Sequence, residues 1–367
     1  MSAAVARRKK QLLIKKQKAA EAASSGGSAT EYDALTVRLN SLLDIPDGTD
    51  KAEAETRAYE ALQLAQGQVR RYAKQIDGDN AFKLASSITI QLLSRGYIGM
   101  ANQLSTQMID AMTETRLTLT DGILDKLCEV DSGYKTALAA ITPKTPEEED
   151  EKFRLQKLLM TFLRKAIKYS DDLGTIRYGD MRLHSRLGQC AWDMEEYLEA
   201  MMEFALAEEN PETVVDLLFQ LPKGDNDNAA KGPVSLRDSL LTHGVVIFIS
   251  LENLRDANSL LRAFVAKDTE RDAQKLATNY MMKGKKHPTH VAFCGSLIRI
   301  CETDAAPLFS WILKSFNVEL NRHPDLKPYT AKIGRLYFNI QPPPNMLNMM
   351  ENMMTMMSAG GGMGGGM

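Results

Sequence analysis

Residues 187–211 read LGQCAWDMEEYLEAMMEFALAEENP, and this stretch decides the fold class. At helical period it predicts one helix that ends near Trp192 and a second that runs from about Glu195 to Glu208. Small residues stand where two helix backbones must approach, and larger apolar residues stand where the space between helices must be filled. In chain order these residues are Leu187, Gly188, Trp192, Tyr197, Ala200, Phe204 and Ala207. The pattern predicts a helical hairpin.

The spacing Leu-Gly-x-x-x-aromatic, followed by Tyr-x-x-Ala-x-x-x-Phe-x-x-Ala and then Pro, resembles the tetratricopeptide repeat. One such pair of helices cannot bury its apolar face alone, so similar units are needed on both sides. The second helix has a degenerate copy at Leu254, Ala257, Leu261 and Phe264. We therefore predict an all-α chain, an α-solenoid of irregular tetratricopeptide-like hairpins. An ordinary pair of amphipathic helices in a helical domain is the alternative.

Apolar residues at helical spacing predict helices along most of the chain. Thr145 and Pro146 supply a cap and a first-turn proline, and a glutamate follows that can complete a capping box, so one helix starts at Pro146. The charged residues 268–290 are compatible with a short hairpin of strands. The predicted helices cover residues 32–43, 52–76, 81–93, 100–112, 146–170, 181–192, 236–251, 254–264, 291–301, 305–316 and 325–338.

Charge and composition divide the chain into segments. The protein has 367 residues, of which 44% are hydrophobic and 25% charged, values that are ordinary for a soluble folded protein. Residues 1–20 hold seven Lys or Arg and no acid, whereas the remainder has 38 basic against 47 acidic residues, a net charge of −9. We predict a disordered basic arm over 1–30, the N-terminal half of the solenoid over 31–150, its C-terminal half over 151–340, and a Pro-, Met- and Gly-rich segment over 341–367.

Three features favour a cytosolic protein with no integral membrane segment. The longest apolar run, Val245–Leu251, is far shorter than the roughly 20 residues that a membrane helix needs. The N-terminus lacks the hydrophobic segment of a secretory signal. The cysteines lie in apolar helical patterns without paired spacing, which is typical of reduced thiols. They are Cys128, Cys190, Cys294 and Cys301.

Few residues are candidates for catalysis or metal binding. His287, His290 and Cys294, with Cys301 two turns later, form the one ligand-like cluster, but both cysteines lie on an apolar helix face and are expected in the core. The KGKK stretch at Lys283 lacks the strand and the helix start that a phosphate loop needs. The sequence therefore predicts no enzymatic activity, no metal and no cofactor.

The C-terminal segment has a stripe of methionines on one face of a predicted helix, with Asn348, Glu351, Asn352 and Thr355 opposite. Flexible thioether side chains accommodate varied apolar partners. We expect this helix to dock on the protein's own fold or on a partner subunit, and direct capture of hydrophobic cargo is the alternative. The stripe is Met346, Met349, Met350, Met353 and Met357.

Three stretches resemble a known family, the tetratricopeptide-like adaptors that form the fourth subunit of the guided-entry pathway for tail-anchored membrane proteins, also described as part of the transmembrane-recognition complex. They are YEALQLAQGQVRRY at Tyr59–Tyr72, GDMRLHSRLGQCAWDMEEYLEAMMEF at Gly179–Phe204, and YTAKIGRLYFNIQPPPNMLNMM at Tyr329–Met350. The resemblance implies a curved helical solenoid without enzymatic activity. It also implies an adaptor that brings a ubiquitin-like protein, and a co-chaperone indirectly, to the targeting ATPase of the pathway.

The resemblance assigns one contact region to each half of the solenoid. The N-terminal half is expected to contact the ATPase through Tyr59, Gln63, Arg70, Arg71 and Tyr72. The C-terminal half is expected to hold the ubiquitin-like protein in a groove formed by Leu308, Phe309, Ile312, Ile333, Leu336, Tyr337 and Phe338.

Two other functions remain open from the sequence. The chain is compatible with a helical-repeat subunit of a proteasome-lid-like assembly, although a Met-rich end replaces the winged-helix module expected there. It is also compatible with membrane or RNA binding through the basic arm. The arm lacks the interleaved aromatic residues that stack on bases, so a solvated tail without nucleic acid is the favoured interpretation.

Overall fold

The computed structural model describes residues 27–44, 46, 50–207, 211–222, 235–269 and 289–340. Every regular element in these ranges is helical, which confirms the predicted all-α class. The chain divides into two compact units: Met1–Glu196 with Leu206–Glu208 forms the first, and Tyr197–Ala205 with Glu209–Met367 forms the second. The boundary between Glu196 and Tyr197 falls between the two helices predicted within residues 187–211.

The first unit contains seven helices within the described residues. Each packs on its neighbour along the chain or on the next but one, the contact pattern of stacked helical repeats. In order they are α1 (Gly27–Leu43), α2 (Lys51–Gln75), α3 (Gly78–Ser94), α4 (Ile98–Thr115), α5 (Asp121–Ala139), α6 (Pro146–Leu173) and α7 (Met181–Asp193).

The second unit is built around a helix that is buried nearly all round, α10 (Leu236–Ser250). Its neighbours pack on every side, which explains why the longest apolar run of the sequence lies here. The other helices are α8 (Tyr197–Phe204), α9 (Pro211–Leu218), α11 (Leu254–Thr269), α12 (Thr289–Glu302), α13 (Ala306–Ser315), α14 (Asn317–Arg322) and α15 (Lys327–Phe338), with a 3-10 turn at Pro324–Leu326.

The core of the first unit contains two polar contacts between helices. The Tyr134 hydroxyl on α5 lies 2.9 Å from the Ser105 hydroxyl on α4, and burial raises the pKa of Tyr134 to about 12. The fully buried carboxylate of Asp131 is paired with the Arg186 guanidinium, which joins α5 to α7, and with Lys135. Each contact satisfies polar atoms that would otherwise be costly to bury.

Several predicted boundaries need correction. Helix α1 begins at Gly27, inside the stretch expected to belong to the basic arm. Helix α8 ends at Phe204 rather than Glu208, because the chain turns at Ala205 and passes back into the first unit. The short helices α9 and α14, and the longer α5, were not predicted. The rest of the arm, residues 1–26, and the Met-rich segment lie outside the described residues.

The two ends of the range 268–290, where a short strand hairpin was considered, are helical. Residues 268 and 269 continue α11, and residues 289 and 290 begin α12. Residues 270–288 lie outside the described part of the chain.

Candidate partner-binding surfaces

The outer face of α2 carries three of the residues predicted to contact an ATPase. Tyr59 is 52% exposed, and Gln63 and Arg70 follow it at helical spacing and are exposed as well. Arg71 is exposed one position further round the helix. Tyr72 is buried in the core of the first unit, so it supports this face rather than forming part of it.

Charge is distributed unevenly along α2. Acidic residues lie in the first half, and the last two turns carry Arg70, Arg71 and Lys74 on the exposed side. Cations at a helix C-terminus interact favourably with the helix dipole. The face therefore offers an exposed aromatic ring, an amide and a basic end, a set of groups suited to an acidic partner surface.

Gly67 lies on the same exposed face, between Gln63 and Arg70. A Cβ atom added there would meet no atom within 4 Å, so packing within the protein does not require a glycine. In the middle of a helix, a glycine costs about 0.5–1 kcal/mol relative to alanine. Because Gly67 has no side chain, it leaves a shallow depression in the surface of α2, and the backbone of another protein can approach closely there.

The seven residues predicted to form a groove for a ubiquitin-like protein do not all lie at the surface. Phe309, Ile312 and Ile333 are buried in the core of the second unit. Phe309 stacks against Phe338 with ring centroids 4.7 Å apart. These side chains hold α13 against α15, and they cannot themselves contact a partner.

Tyr337 and Phe338 are half-buried on the side of α15 that packs against the rest of the unit. The Tyr337 hydroxyl donates to the Ile249 carbonyl oxygen at 3.3 Å, and burial raises the pKa of Tyr337 to about 12. Both residues are therefore structural, although the exposed edge of Phe338 borders the surface.

Leu308 and Leu336 are the exposed members of the set, and they point in different directions. Leu308 is 51% exposed on the outer face of α13. Leu336 lies two residues after Gly334, which faces Phe309, and two residues turn a helix by about 200°. Leu336 is therefore on the side of α15 away from α13, and the predicted single groove is not formed.

The most exposed large apolar side chain of this region, Trp311 at 58%, is not among the seven predicted residues. It lies three residues after Leu308 on α13, so the two side chains are neighbours on one face. An exposed tryptophan beside an exposed leucine is the composition of an interaction site rather than of an ordinary surface. Leu308 and Trp311 together define a surface that we call the apolar α13 face.

The possible metal cluster has other roles in the structure. Cys294 and Cys301 are buried core thiols, His290 faces Asp238 with 3.6 Å between nitrogen and oxygen, and His287 lies outside the described residues. None of the four cysteines, all of which lie in the described ranges, is in a disulfide. Within the described ranges, no group of three or more His, Cys, Asp or Glu side chains is placed to hold a metal ion.

The histidine environment nearest to an acid–base arrangement is at His243 in α10. Its Nδ1 lies 2.8 Å from the Ser239 carbonyl oxygen, and its Nε2 lies 2.8 Å from an Asp325 carboxylate oxygen. The first contact lies within α10, and the second ties α10 to the turn before α15. Both ring nitrogens are engaged within the fold, so the arrangement acts structurally.

A shallow groove of about 460 Å³ lies between α9 and α11 in the second unit. Its charged lining includes Asp216 and Lys267, which form an ion pair with each other at 2.5 Å. Among the described residues, no helix is long and apolar enough to cross a membrane.

A sequence model of the family described as Golgi to ER traffic protein 4 matches residues 75–358. This range is well over half of the chain. The chain belongs to the Golgi to ER traffic protein 4 family. Family membership confirms the resemblance drawn from the three stretches. The α13 and α15 residues lie inside the matched range, whereas Tyr59–Tyr72 precede it.

Individual members of the family are distant in sequence but similar in extent. The human Golgi to ER traffic protein 4 homologue is 22% identical over 302 residues, which cover 80% of this chain and 82% of the relative. Protein GET4 of Arabidopsis thaliana is 21% identical over 311 residues, covering 80% and 90%. The Dictyostelium discoideum homologue is 24% identical over 208 residues, covering 56% and 60%.

Solved structures with the same fold include a member of this family from another source. The crystal structure of C. therm. Get4 matches with a TM-score of 0.61 and 19% identity, and the match covers 92% of this chain and 96% of that chain. At this identity the likeness establishes the helical architecture and leaves the contact residues to be argued from this chain itself.

Proposed function

We propose that the protein is a non-enzymatic adaptor of the cytosol that serves the delivery of tail-anchored membrane proteins to the endoplasmic reticulum. It would link a ubiquitin-like protein, and through it a co-chaperone, to the targeting ATPase. The observation that carries the proposal is that each compact unit of this family member has an exposed face left unused by packing. One is the α2 face and the other is the apolar α13 face.

The α2 face supports the ATPase contact. Tyr59, Gln63 and Arg70 are exposed along one line of the helix, with Arg71 beside them. Arginine and tyrosine are the residue types most often found to dominate binding energy at protein interfaces. A basic face steers an acidic partner, so the association rate should fall as salt concentration rises.

The apolar α13 face supports the contact with the ubiquitin-like protein. A tryptophan exposed by more than half gains a large apolar burial when a partner covers it. Its neighbour Leu308 extends the surface, and the stacked pair of Phe309 and Phe338 beneath keeps α13 in place. Loss of such a central aromatic residue costs about 2 kcal/mol or more of binding free energy.

The test is a binding experiment with the purified chain, the targeting ATPase and the ubiquitin-like protein. The double change Arg70→Glu and Arg71→Glu should weaken ATPase binding and leave the other contact intact, and Lys168→Glu, an exposed change on α6, is the charge control. Trp311→Asp should weaken binding of the ubiquitin-like protein, with Leu198→Asp on α8 as the matched control.

Two outcomes would contradict the proposal. Binding of both proteins by all the variants with unchanged affinity would show that other surfaces are used. Recovery of proteasome-lid subunits from cell extract, without the ATPase or the ubiquitin-like protein, would favour the alternative of a helical-repeat subunit in a lid-like assembly.

A further inference from the structure

Both Thr-Pro dipeptides of the chain lie in the turn between α5 and α6. They are Thr142-Pro143 and Thr145-Pro146, and the chain contains no Ser-Pro dipeptide. Proline-directed protein kinases phosphorylate a serine or threonine that directly precedes a proline, so their motif occurs at this turn alone. A short motif is informative only in its structural context, and the two threonines have different surroundings.

The Thr145 hydroxyl is used by the fold. As the N-cap of α6, it accepts from the Glu148 amide at 3.3 Å. A hydrogen bond from its own backbone amide, and a second from the Thr145 hydroxyl, hold the pKa of Glu147 below its usual range. Phosphorylation of Thr145 would remove this hydroxyl proton and add about two negative charges beside the three glutamates of the first turn. The fold therefore protects Thr145.

The Thr142 side chain is available by contrast. It is exposed in residues 141–144, which join the two helices without regular structure. Within the described part of the chain, its hydroxyl makes no hydrogen bond. The proline that follows disfavours helical backbone at Thr142 and favours an extended one, the conformation in which kinases bind their substrate segments. Modification of Thr142 therefore breaks no contact of the fold.

A cation is already in place beside Thr142. The Lys152 ammonium reaches back from α6 and donates to the Ile141 carbonyl oxygen at 2.9 Å. This carbonyl belongs to the peptide bond between Ile141 and Thr142. A phosphate on the Thr142 side chain would therefore lie within reach of the same ammonium, and a charge-assisted hydrogen bond to phosphate is stronger than one to a neutral carbonyl.

Acidic residues of α6 are also near this turn, and two of them already have partners. Glu148 accepts from the Lys144 amide at 2.6 Å, and Glu151 is paired with Arg154 at 2.6 Å. Their charge is thus partly compensated, and the Lys144 side chain adds an exposed cation on the same connection. The turn can accept a phosphate at position 142.

We propose that Thr142 is the acceptor of a proline-directed protein kinase and that Lys152 holds the resulting phosphate. In this reaction a bond forms between the Thr142 Oγ1 atom and the γ-phosphorus of ATP. The bond from that phosphorus to the oxygen bridging it to the β-phosphate breaks, ADP leaves with the bonding electron pair, and the hydroxyl proton passes to a carboxylate of the kinase. The phosphate then fastens the α5–α6 turn to α6. Neither step depends on the proposed function.

The first experiment treats the purified full-length chain with a cyclin-dependent protein kinase, ATP and magnesium, and maps phosphate by mass spectrometry. The wild type should gain one phosphoryl group, at Thr142. Thr142→Ala and Pro143→Ala should lose it, whereas Thr142→Ser and Thr145→Ala should keep a group at position 142. A free peptide of residues 138–149 should be modified at both threonines, because no cap protects Thr145 there.

The second experiment tests Lys152 by phosphorus NMR. The second pKa of phosphothreonine is about 6 in a free peptide. It should be lower in the phosphorylated protein, because an ammonium nearby favours the dianion. Lys152→Gln should return the pKa toward the peptide value, and Lys168→Gln, an exposed change further along α6, should leave it lowered. Circular dichroism on each variant establishes that it is folded.

Each part of the proposal can fail separately. Modification of the folded protein at Thr145, or at neither threonine while the peptide is modified at both, would show that the turn does not present Thr142 to a kinase. A second pKa equal to that of the peptide, or one that Lys152→Gln leaves unchanged, would show that Lys152 does not hold the phosphate.

Discussion

Two glycines lie in the middle of helices in different surroundings. Replacing each by alanine should change the free energy of unfolding in opposite directions. At Gly67 on α2 an added Cβ meets no atom within 4 Å, so Gly67→Ala should raise the free energy of unfolding by about 0.5–1 kcal/mol through helix propensity. At Gly244 on α10 it would lie 2.5 Å from Met201 Cε and 2.9 Å from Leu260 Cδ2.

Both neighbours of Gly244 are fully buried and have little space to move. Gly244→Ala should therefore lower the free energy of unfolding by about 1–3 kcal/mol. Urea unfolding monitored by circular dichroism measures both variants under the same conditions. If both substitutions changed the free energy of unfolding in the same direction, packing would not distinguish these two positions.

The contact between His243 and Asp325 predicts a small dependence of stability on pH. The hydrogen bond from His243 holds the pKa of Asp325 below its usual range. Aspartate in an unfolded chain titrates near pH 4, so this contact contributes stability that is fully present above about pH 4 and is lost as the pH falls through the lower, folded pKa. The Asp325 side chain is half exposed, and solvent screens the effect.

Urea unfolding between pH 6 and pH 3 checks this prediction. Asp325→Asn should lose less stability than the wild type over that range, whereas the exposed Asp172→Asn should follow the wild type. A variant curve parallel to the wild-type curve at every pH would show that the contact does not contribute.

Single residues show where sequence interpretation reached its limit. The size of Tyr59 alone would favour a buried position, but the buried stripe of α2 runs through Ala58, Ala61 and Leu62. Small alanines carry the packing there, and the Tyr59 ring is left exposed beside them. Trp311 was not predicted as an exposed residue because it lies in the apolar run of α13. Which side of that helix is exposed is decided only by the packing of Phe309 against Phe338 on α15.

At the scale of elements, the cap of α6 is the local structure that the sequence predicted best. The Thr145 hydroxyl oxygen accepts from the Glu148 amide at 3.3 Å. The Glu148 carboxylate accepts from the Lys144 amide at 2.6 Å, one residue before the amide of a standard capping box.

Removing this cap should cost stability. Thr145→Ala should lower the free energy of unfolding by about 1 kcal/mol, and Thr145→Ser should be close to neutral because it keeps the accepting oxygen. Thr142→Ala, in the exposed loop before the helix, is the control and should stay within about 0.5 kcal/mol. Thermal and urea unfolding of the three variants would measure the difference, and equal stability would contradict it.

An apolar stripe at helical period predicted most of the helices, and α10 was predicted as a helix without its place in the fold. The starts of α6 and α7 follow from capping residues and helical period. The all-round burial of α10 removes the stripe, so its central place could not be known before its neighbours were placed. The end of α8 is decided by the turn of the chain back into the first unit, which no local pattern encodes.

At the scale of the whole molecule, the division into two units predicts that the first can fold alone. A fragment of residues 27–196 retains helices α1–α7 with their shared core. It should give a helical circular dichroism spectrum and one cooperative urea transition.

A shorter fragment, 27–173, tests whether α7 is needed for the first unit to fold. It lacks α7, so Asp131 loses Arg186 and the faces of α5 and α6 that pack against α7 are uncovered. It should unfold at much lower urea than 27–196. Similar midpoints for both fragments, or a gradual transition in 27–196, would argue against the unit as a folding domain.

The placement of the cysteines gives the protein built-in reporters of local opening. Cys128 is the one thiol with partial solvent exposure, and Cys190, Cys294 and Cys301 are buried, the first of these in one unit and the last two in the other. An alkylating reagent should therefore modify Cys128 quickly and the buried thiols only when their unit opens. Mass spectrometry of timed alkylation would then give a separate opening rate for each unit of the unaltered protein.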